Sequence, residues 1–346
     1  MSADAVSSSP SRPRLDRRFC VAPMIDVTDR HYRFMARLLS QNALLFTEMI
    51  TTGAILNGDQ DYLLSYTPQE HPLVLQLGGS NTDELAQCAR IGEDYGYDEI
   101  NLNVGCPSDK VQNHMIGACL MAHPKLVTDC MQAMIETVKI PVTIKHRIGI
   151  DDMDDYDELA SFVEQVSQSG CDTFIVHARN AILKGLSPKQ NREIPPLQYD
   201  KVYRLKADFP NLEIIINGGI DNIDDCHQHL TQVDGVMLGR AANHNSALLT
   251  HIDQQLFGCT LPIPERRQAA LSYFAYMQEQ HEQGTSLHHM SGHIMGLFQG
   301  LPGARALRRH ISDNIHGTSA NIQVMYEALE LIETVPTSIT EINNQQ

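Results

Sequence analysis

The sequence lacks several features, and each absence narrows the kinds of protein it could encode. It has no run of about 18 consecutive apolar residues, the length that a membrane-spanning helix needs. Its eight cysteines are scattered and include no C-x-x-C pair, which argues against a zinc ribbon, an iron–sulfur site or a disulfide framework. The opening residues, MSADAVSSSPSRPR, lack the apolar core of a secretory signal. We therefore expect no membrane span and a location in the reducing cytoplasm.

Basic residues are also scarce. There are 26 Lys and Arg against 42 Asp and Glu, and the net charge is −16. Taken alone, this balance argues against nucleic-acid binding, because a uniformly acidic body repels phosphates. The cations that do occur include two local groups: Lys184, Lys189 and Arg192, and then Arg305, Arg308 and Arg309. Charges are screened over about 8 Å at physiological salt, so such patches can act if the acidic residues cluster elsewhere.

Eight short apolar runs, each ending in a polar residue or a glycine, alternate with stretches typical of helices. The runs are FCVAPM (19–24), ALLFTEM (43–49), PLVLQLGG (72–79), DEINLNVG (98–105), PVTIKHR (141–147), DTFIVHAR (172–179), LEIIINGG (212–219) and DGVMLGR (234–240). Such runs indicate a parallel sheet covered on both faces. Eight of these units predict a (β/α)8 TIM barrel. An open doubly wound sheet is the alternative, and it fits less well because no G-x-G-x-x-G follows the first strand.

The chain changes character after the barrel units. Four segments, 264–283, 286–299, 302–313 and 319–333, have patterns typical of helices. We predict three parts: a disordered N-terminal tail over 1–16, a catalytic barrel over 17–260 and a small helical bundle over 261–346. The motif HHMSGH (288–293) has no acidic or cysteine partner nearby in the sequence, so we interpret it as helix surface rather than a metal site.

The carboxyl ends of the strands of such a barrel converge on the active site. These ends carry Pro23, Met24, Glu48, Gln76, Asn103, Lys145, His177, Asn217, Gly218, Gly219, Gly239 and Arg240. Each alone is most simply a turn former or a solvated side chain. Together, the glycines after strands seven and eight can let the backbone approach a phosphate, and Arg240 adds a cation. Gln76, Lys145 and His177 offer donors, acceptors and positive charge that suit the isoalloxazine of FMN better than NAD.

Several long motifs carry a family resemblance. They are APMIDVTDRHYR, NLNVGCP, IKHRIG, VHARNAILKGLSPKQNREIPPL and INGGI. These stretches resemble the FMN-dependent tRNA-dihydrouridine synthases. GLSPKQNREIPPL and MGLFQGLPGARALRR further resemble the DusA branch of that family. The resemblance extends over about residues 17–335, nearly the whole chain.

The resemblance implies that an FMN-bearing barrel and a helical tRNA-reading domain reduce uridines 20 and 20a of the tRNA D-loop to 5,6-dihydrouridine, with NADPH as electron source. It implies that Cys106 is the proton donor. It implies FMN contacts for Pro23, Met24, Ile25, Gln76, Lys145, His177, Asn217, Gly218, Gly219, Gly239 and Arg240. It implies tRNA contacts for Asn103, Lys189, Arg192, Arg305 and Arg308. No metal is expected.

The chemistry of the reaction supports the role of Cys106. Reducing the C5=C6 bond of uracil needs a hydride at C6, which reduced flavin can supply, and a proton at C5 from the other side. A free thiol has a pKa of about 8.5, so it is mainly protonated at neutral pH and can act as the acid. A loop position would let it close over the base. A structural cysteine is the simpler interpretation for most of the other seven.

Three alternative functions leave part of the sequence unexplained. A flavin barrel acting on a small pyrimidine or a dihydroorotate-like substrate does not need the arginine-bearing tail. A barrel aldolase using Lys145 as a Schiff base would carry no flavin. A non-catalytic RNA-binding protein would have no use for Cys106 and its loop.

Overall fold

Eight parallel strands form the centre of the molecule. The computed structural model describes residues 15–108, 112, 114–316 and 321–332. The strands are β1 (Phe19–Val21), β2 (Leu45–Thr51), β3 (Leu73–Gly78), β4 (Glu99–Val104), β5 (Val142–Arg147), β6 (Thr173–His177), β7 (Glu213–Asn217) and β8 (Gly235–Leu238). They pair in the order β1-β8-β7-β6-β5-β4-β3-β2, and a parallel bridge between Cys20 and Leu44 joins the two ends. The predicted (β/α)8 barrel is confirmed.

Helices follow the strands and cover the outside of the barrel. They are α1 (Arg30–Leu39), α2 (Thr52–Asn57), α3 (Gln60–Leu64), α4 (Thr82–Tyr95), α5 (Pro124–Thr137), α6 (Tyr156–Ser167), α7 (Tyr199–Asp208), α8 (Ile223–Leu230), α9 (Arg240–His244) and α10 (Leu249–Gln255). Short 3-10 helices lie at Pro68–Glu70, Ala118–Ala122, Gln190–Arg192 and Ser246–Leu248. No helix in the described part of the chain is long and apolar enough to span a membrane.

Side chains alternate between two environments along each strand, because successive residues point to opposite faces. On β4, Ile100 and Leu102 pack in the large core that lies between the sheet and the helices. Glu99, Asn101 and Asn103 have the other parity and are buried as well. A separate small apolar cluster holds residues of that second face from strands β1, β2, β3, β6, β7 and β8 and from positions next to β1 and β2: Cys20, Ala22, Leu44, Phe46, Val74, Ile175, Ile215 and Met237. The barrel interior is therefore part apolar and part polar.

The C-terminal segment is helical. Its helices are α11 (Arg266–Glu282), α12 (Leu287–Ser291), α13 (Ala304–Asn314) and α14 (Gln323–Glu330), with a 3-10 helix at Gly292–Ile294. The single helix predicted over 286–299 is wrong in extent, since regular α-helix ends at Ser291 and turns follow. Gly296, within these turns, packs so tightly against Asn243 that an added Cβ would clash with its carbonyl oxygen. The predicted apolar face of α13 is buried: Ala304, Leu307 and Ile311.

The helical segment packs on α1 of the barrel. The rings of Phe34 and Tyr276 stack with centroids 3.9 Å apart, and His31 Nδ1 lies 2.8 Å from the Tyr276 hydroxyl. The proposed boundaries after residues 16 and 260 remain predictions. Residues 1–14, 317–320 and 333–346, and with them parts of the predicted tail and last helix, lie outside the described residues.

Candidate active site

The residues predicted at the strand ends lie at one rim of the barrel, because all eight strands run parallel. Two pairs of these residues are in direct contact. Asn103 Nδ2 donates to Gln76 Oε1 at 2.8 Å, and Lys145 Nζ donates to Asn217 Oδ1 at 3.1 Å. Asn217 Nδ2 in turn donates to the carbonyl of Met237 at 2.7 Å. The rim therefore joins polar side chains from strands β3, β4, β5 and β7.

Cys106 lies in the loop that follows β4, and its side chain is half-buried. Its backbone N–H donates to Asn103 Oδ1 at 2.9 Å, and Gly105 N–H donates to the same oxygen at 3.1 Å. Behind the loop, Ala118 N–H donates to the Cys106 carbonyl at 2.9 Å. Gly117 packs on this turn, and an added Cβ there would lie 2.4 Å from the Cys106 carbonyl oxygen. The loop is thus held on both sides, with the thiol near the rim.

Three cations interact electrostatically with the Cys106 position: Lys145, Arg147 and Arg192. Burial lowers the pKa of Lys145 to about 7 and that of Arg147 to about 10, and it also lowers the pKa of Arg192. The interaction with Cys106 raises each of these three pKa values, against the effect of burial. The sulfur therefore lies within electrostatic reach of each cation.

Arg147 is a site residue that the sequence analysis missed. It is 4% exposed and donates to three backbone carbonyls in the loops after β4 and β6. Its Nε donates to Gly105 at 3.1 Å, and its Nη1 donates to Asn191 at 2.9 Å and Asn180 at 3.4 Å. Its spacing in the sequence could have identified it. Arg147 follows Lys145 by two residues on the same strand, so both side chains point to the same face of the sheet.

His177 presents an unfilled hydrogen-bonding position. Burial, followed by the positive charges of Arg147 and Lys145, holds the pKa of His177 well below its ordinary value, so the imidazole is neutral. Its Nδ1 is buried and has no hydrogen-bond partner among the described residues. A buried polar atom without a partner is uncommon and suggests that a bound group supplies one. Together with the Lys145 ammonium, this donor set fits a flavin ring.

The glycines after β7 form a cradle. Gly218 and Gly219 have φ of 113° and 71°, which glycine adopts far more readily than other residues. An added Cβ on Gly219 would lie 2.5 Å from Leu197, so a side chain there would be crowded. Near Gly239, an added Cβ would come only within 3.6 Å of Met24. The positive φ angles at this turn therefore favour glycine, as in the phosphate-binding turns after the seventh and eighth strands of such barrels.

Arg240 is less free than the sequence suggested. Its Nη1 lies 3.0 Å from Glu193 Oε1, and its Nη2 donates to the Arg192 carbonyl at 3.3 Å. The ion pair is exposed, with both side chains close to half accessible, so it can exchange for a phosphate. The same contacts bring the segment of Lys189 and Arg192 to the rim, where both side chains are exposed. Pro23 and Met24 are partly buried and Ile25 is 54% exposed.

On α13, Arg305 is exposed, while Arg308 is partly buried and donates to Gln299 Oε1 at 3.0 Å. No contact in the structure tests either arginine as a tRNA ligand, and both assignments remain predictions.

One part of the sequence interpretation is wrong. His293 of the HHMSGH motif is buried rather than on the helix surface. Its Nε2 lies 3.1 Å from Asp29 Oδ1, and His289 Nε2 lies 2.9 Å from Asp29 Oδ2. The acidic partner comes from the loop before α1, far away in the chain, so a search of neighbouring residues could not find it. Among the described residues no group of His, Cys, Asp and Glu could hold a metal ion.

Comparison with known proteins decides the family. A family model described as dihydrouridine synthase (Dus) matches residues 20–333. The chain belongs to the dihydrouridine synthase family. A relative from Pseudomonas putida (strain KT2440), a tRNA-dihydrouridine(20/20a) synthase, is 56% identical over 323 residues, which cover 93% of this chain and 96% of the relative. A protein of the same name from Escherichia coli (strain K12) is 54% identical over 316 residues, or 91% of each chain.

The family match confirms the resemblance seen in the motifs. Dihydrouridine synthases are oxidoreductases that reduce uridines in tRNA, and they use a flavin. The rim of this barrel, with Lys145, the unpartnered nitrogen of His177 and the glycine cradle, suits such a cofactor.

Proposed function

We propose that the chain reduces uridines 20 and 20a in the tRNA D-loop to 5,6-dihydrouridine, with FMN as the bound cofactor and NADPH as the electron donor. The observation that carries the proposal is the position of Cys106, half-buried beside a rim that suits a flavin. The relatives from P. putida and E. coli carry the name of this activity and align with almost the whole chain.

FMN would be held by the rim. Lys145 and His177 would bind the ring, and the backbone of Gly218 and Gly219 would bind the phosphate, with Arg240 as its counter-ion. Pro23, Met24, Ile25, Gln76, Asn217 and Gly239 complete the proposed contacts. When bound and reduced, FMN supplies a hydride to C6 of the uracil.

The protein's own residues supply the proton and admit the target base. The Cys106 thiol donates its proton to C5, so that one hydride and one proton add across the C5=C6 bond. Solvent then returns a proton to the Cys106 sulfur. The target base must leave its stack to reach the rim, which costs less in an open loop than in a duplex.

Contacts to tRNA would come from two groups of residues. Asn103, Lys189 and Arg192 lie near the mouth, and we assign them to the base and its adjacent phosphates. Arg305 and Arg308 on α13 would bind the backbone farther away. All eight cysteines are free, which fits our proposal of a cytoplasmic location.

Two measurements on the purified chain test the proposal. The protein should show flavin absorbance, and stopped-flow mixing of the reduced protein with unmodified tRNA should oxidise that flavin. Cys106→Ala should retain flavin but lose about 10²–10⁴-fold in this rate. Cys259→Ala, a half-buried free thiol elsewhere in the chain, serves as the control and should react like wild type. An unchanged rate in Cys106→Ala would refute the role of Cys106 as the acid. Oxidation of the reduced flavin by free pyrimidines but not by tRNA would refute tRNA as the substrate.

A further inference from the structure

A row of buried polar side chains continues downward from the site into the barrel. Gln76 Nε2 donates to Asn101 Oδ1 at 2.8 Å, one layer below the rim. Above it, Gln76 Oε1 receives Asn103 Nδ2 at 2.8 Å, and Asn103 Oδ1 receives the backbone N–H groups of Gly105 and Cys106. Gln76 and Asn101 are fully buried, and Asn103 is 8% exposed.

The row continues to the opposite end of the barrel. Asn101 Nδ2 donates to Thr143 Oγ1 at 2.9 Å, and the Thr143 hydroxyl donates to Glu99 Oε1 at 2.6 Å. The other oxygen of Glu99 receives Nε and Nη2 of Arg17 at 2.8 and 2.6 Å. A single chain of hydrogen bonds thus connects the Cys106 loop with an ion pair at the base of the barrel.

The groups at the two ends of this hydrogen-bond chain determine the direction in which its donors point. At the top, a backbone N–H can only donate, so the Asn103 atom that faces Gly105 and Cys106 must be the oxygen. Asn103 therefore presents its NH₂ group to Gln76, and Gln76 must present its oxygen to Asn103 and its own NH₂ group to Asn101. At the bottom, the Glu99 carboxylate only accepts. Every donor points towards Glu99, and no amide can be reversed without leaving a buried group unmatched.

The direction of this hydrogen-bond chain determines which groups Gln76 and Asn103 present to the site. A primary amide has nearly the same shape in its two orientations, but exchanging O and N swaps a hydrogen-bond acceptor for a donor. Uracil and isoalloxazine both present mixed donor and acceptor edges, so a reversed amide would replace a match with a repulsion. Which group the amides of Gln76 and Asn103 present to a ligand, an N–H donor or an oxygen acceptor, therefore depends on the residues below them.

We propose that Asn101 and Thr143 are positioning residues, which fix the side-chain amides of Gln76 and Asn103 in the orientation that the flavin and the uracil require. This inference rests on the proposed function for the identity of the ligands. Thr143 acts at a distance: two side chains, Asn101 and Gln76, separate it from Asn103.

A matched set of threonine variants tests the inference. Thr143→Val keeps the shape of the side chain but removes both the acceptor for Asn101 and the donor to Glu99, whereas Thr143→Ser keeps the hydroxyl. Thr250→Val is the control: Thr250 is equally buried, in α10, and its hydroxyl donates to the Ala247 carbonyl at 2.8 Å, outside this hydrogen-bond chain. We expect Thr143→Val to lower kcat/KM for tRNA by about 10- to 100-fold, the effect of an unmatched buried polar group. Thr143→Ser and Thr250→Val should stay within about threefold of wild type.

A second measurement uses the unliganded wild-type chain, so it needs neither a stable variant nor a bound cofactor. Nuclear magnetic resonance should show the side-chain NH₂ of Asn101 close to the Thr143 methyl group, and the NH₂ of Gln76 close to Asn101. Reversed contacts, or a Thr143→Val variant with wild-type kinetics, would overturn the inference. A wild-type protein that binds no flavin would instead refute the proposed function. The NH₂ contacts would still decide the direction of the hydrogen-bond chain.

Discussion

Replacing Arg147 with glutamine should separate the stability of the barrel from the geometry of its site. The arginine makes two short bonds, to the carbonyls of Gly105 and Asn191, and a longer one to Asn180. A buried carbonyl left without a donor costs about 1–3 kcal/mol, so Arg147→Gln should lose about 2–6 kcal/mol of unfolding free energy. Gly105 precedes Cys106, so the thiol should also shift. A misplacement of about 1 Å can cost 10²-fold in rate.

Arg37 provides the matched control. It is 9% exposed and likewise donates to backbone carbonyls, those of Ser40, Ala43, Glu70 and Pro72. It lies at the other end of the barrel, before β2 and β3. Denaturant unfolding should show a comparable loss in Arg37→Gln and Arg147→Gln. Stopped-flow oxidation of the flavin by tRNA should slow about 10²-fold only in Arg147→Gln. Equal rates in the two variants would refute the positioning of the thiol by Arg147.

Three further predictions concern charge and the glycine cradle. The folded pKa of Lys145, about 7, lies below its ordinary 10.5, so between these values the unfolded chain binds more protons and stability rises with pH. In urea unfolding, Lys145→Met should lack this rise and gain most over wild type at or below about pH 7. Gly219→Ala should lose FMN affinity, whereas Gly258→Ala, with a similar φ of 68° and nothing near its Cβ, should lose only stability. Arg305→Ala and Arg308→Ala should each weaken tRNA binding and reduce the salt dependence by about one phosphate contact.

Each of these has a result that would contradict it. A pH slope that survives in Lys145→Met would show that another group titrates. Wild-type FMN affinity in Gly219→Ala would remove the cradle from the phosphate site. For the arginines, Lys125→Ala is the control, since Lys125 is 80% exposed on α5 of the barrel. An equal loss of tRNA affinity in that variant would indicate a general effect of charge.

The barrel could be predicted because its signal is local. Each strand is a short apolar run with a polar end, and parallel topology alone brings those ends to one rim. The contacts between Gln76 and Asn103, and between Lys145 and Asn217, join residues that the sequence placed at strand ends. The family motifs then supplied roles that no pattern of hydrophobicity contains.

Other features depend on contacts between distant segments. The carbonyls bound by Arg147 belong to the loops after two different strands, β4 and β6, and the buried His293 contacts Asp29 only when the helical segment packs on α1. The pairing of Arg240 with Glu193 is likewise a product of loop geometry. Sequence spacing indicates that Glu99, Asn101 and Asn103 share a face, but not that they bond in one direction.

Mapping dihydrouridine in tRNA tests the central claim most directly. Unmodified tRNA from a strain that lacks D-loop dihydrouridine would be incubated with the purified chain, FMN and NADPH, and each reduced uridine located by primer extension after alkaline cleavage. We predict dihydrouridine at positions 20 and 20a with the wild-type chain and almost none with Cys106→Ala. Dihydrouridine only at other positions, or none at all with a flavin-loaded wild-type chain, would contradict the account.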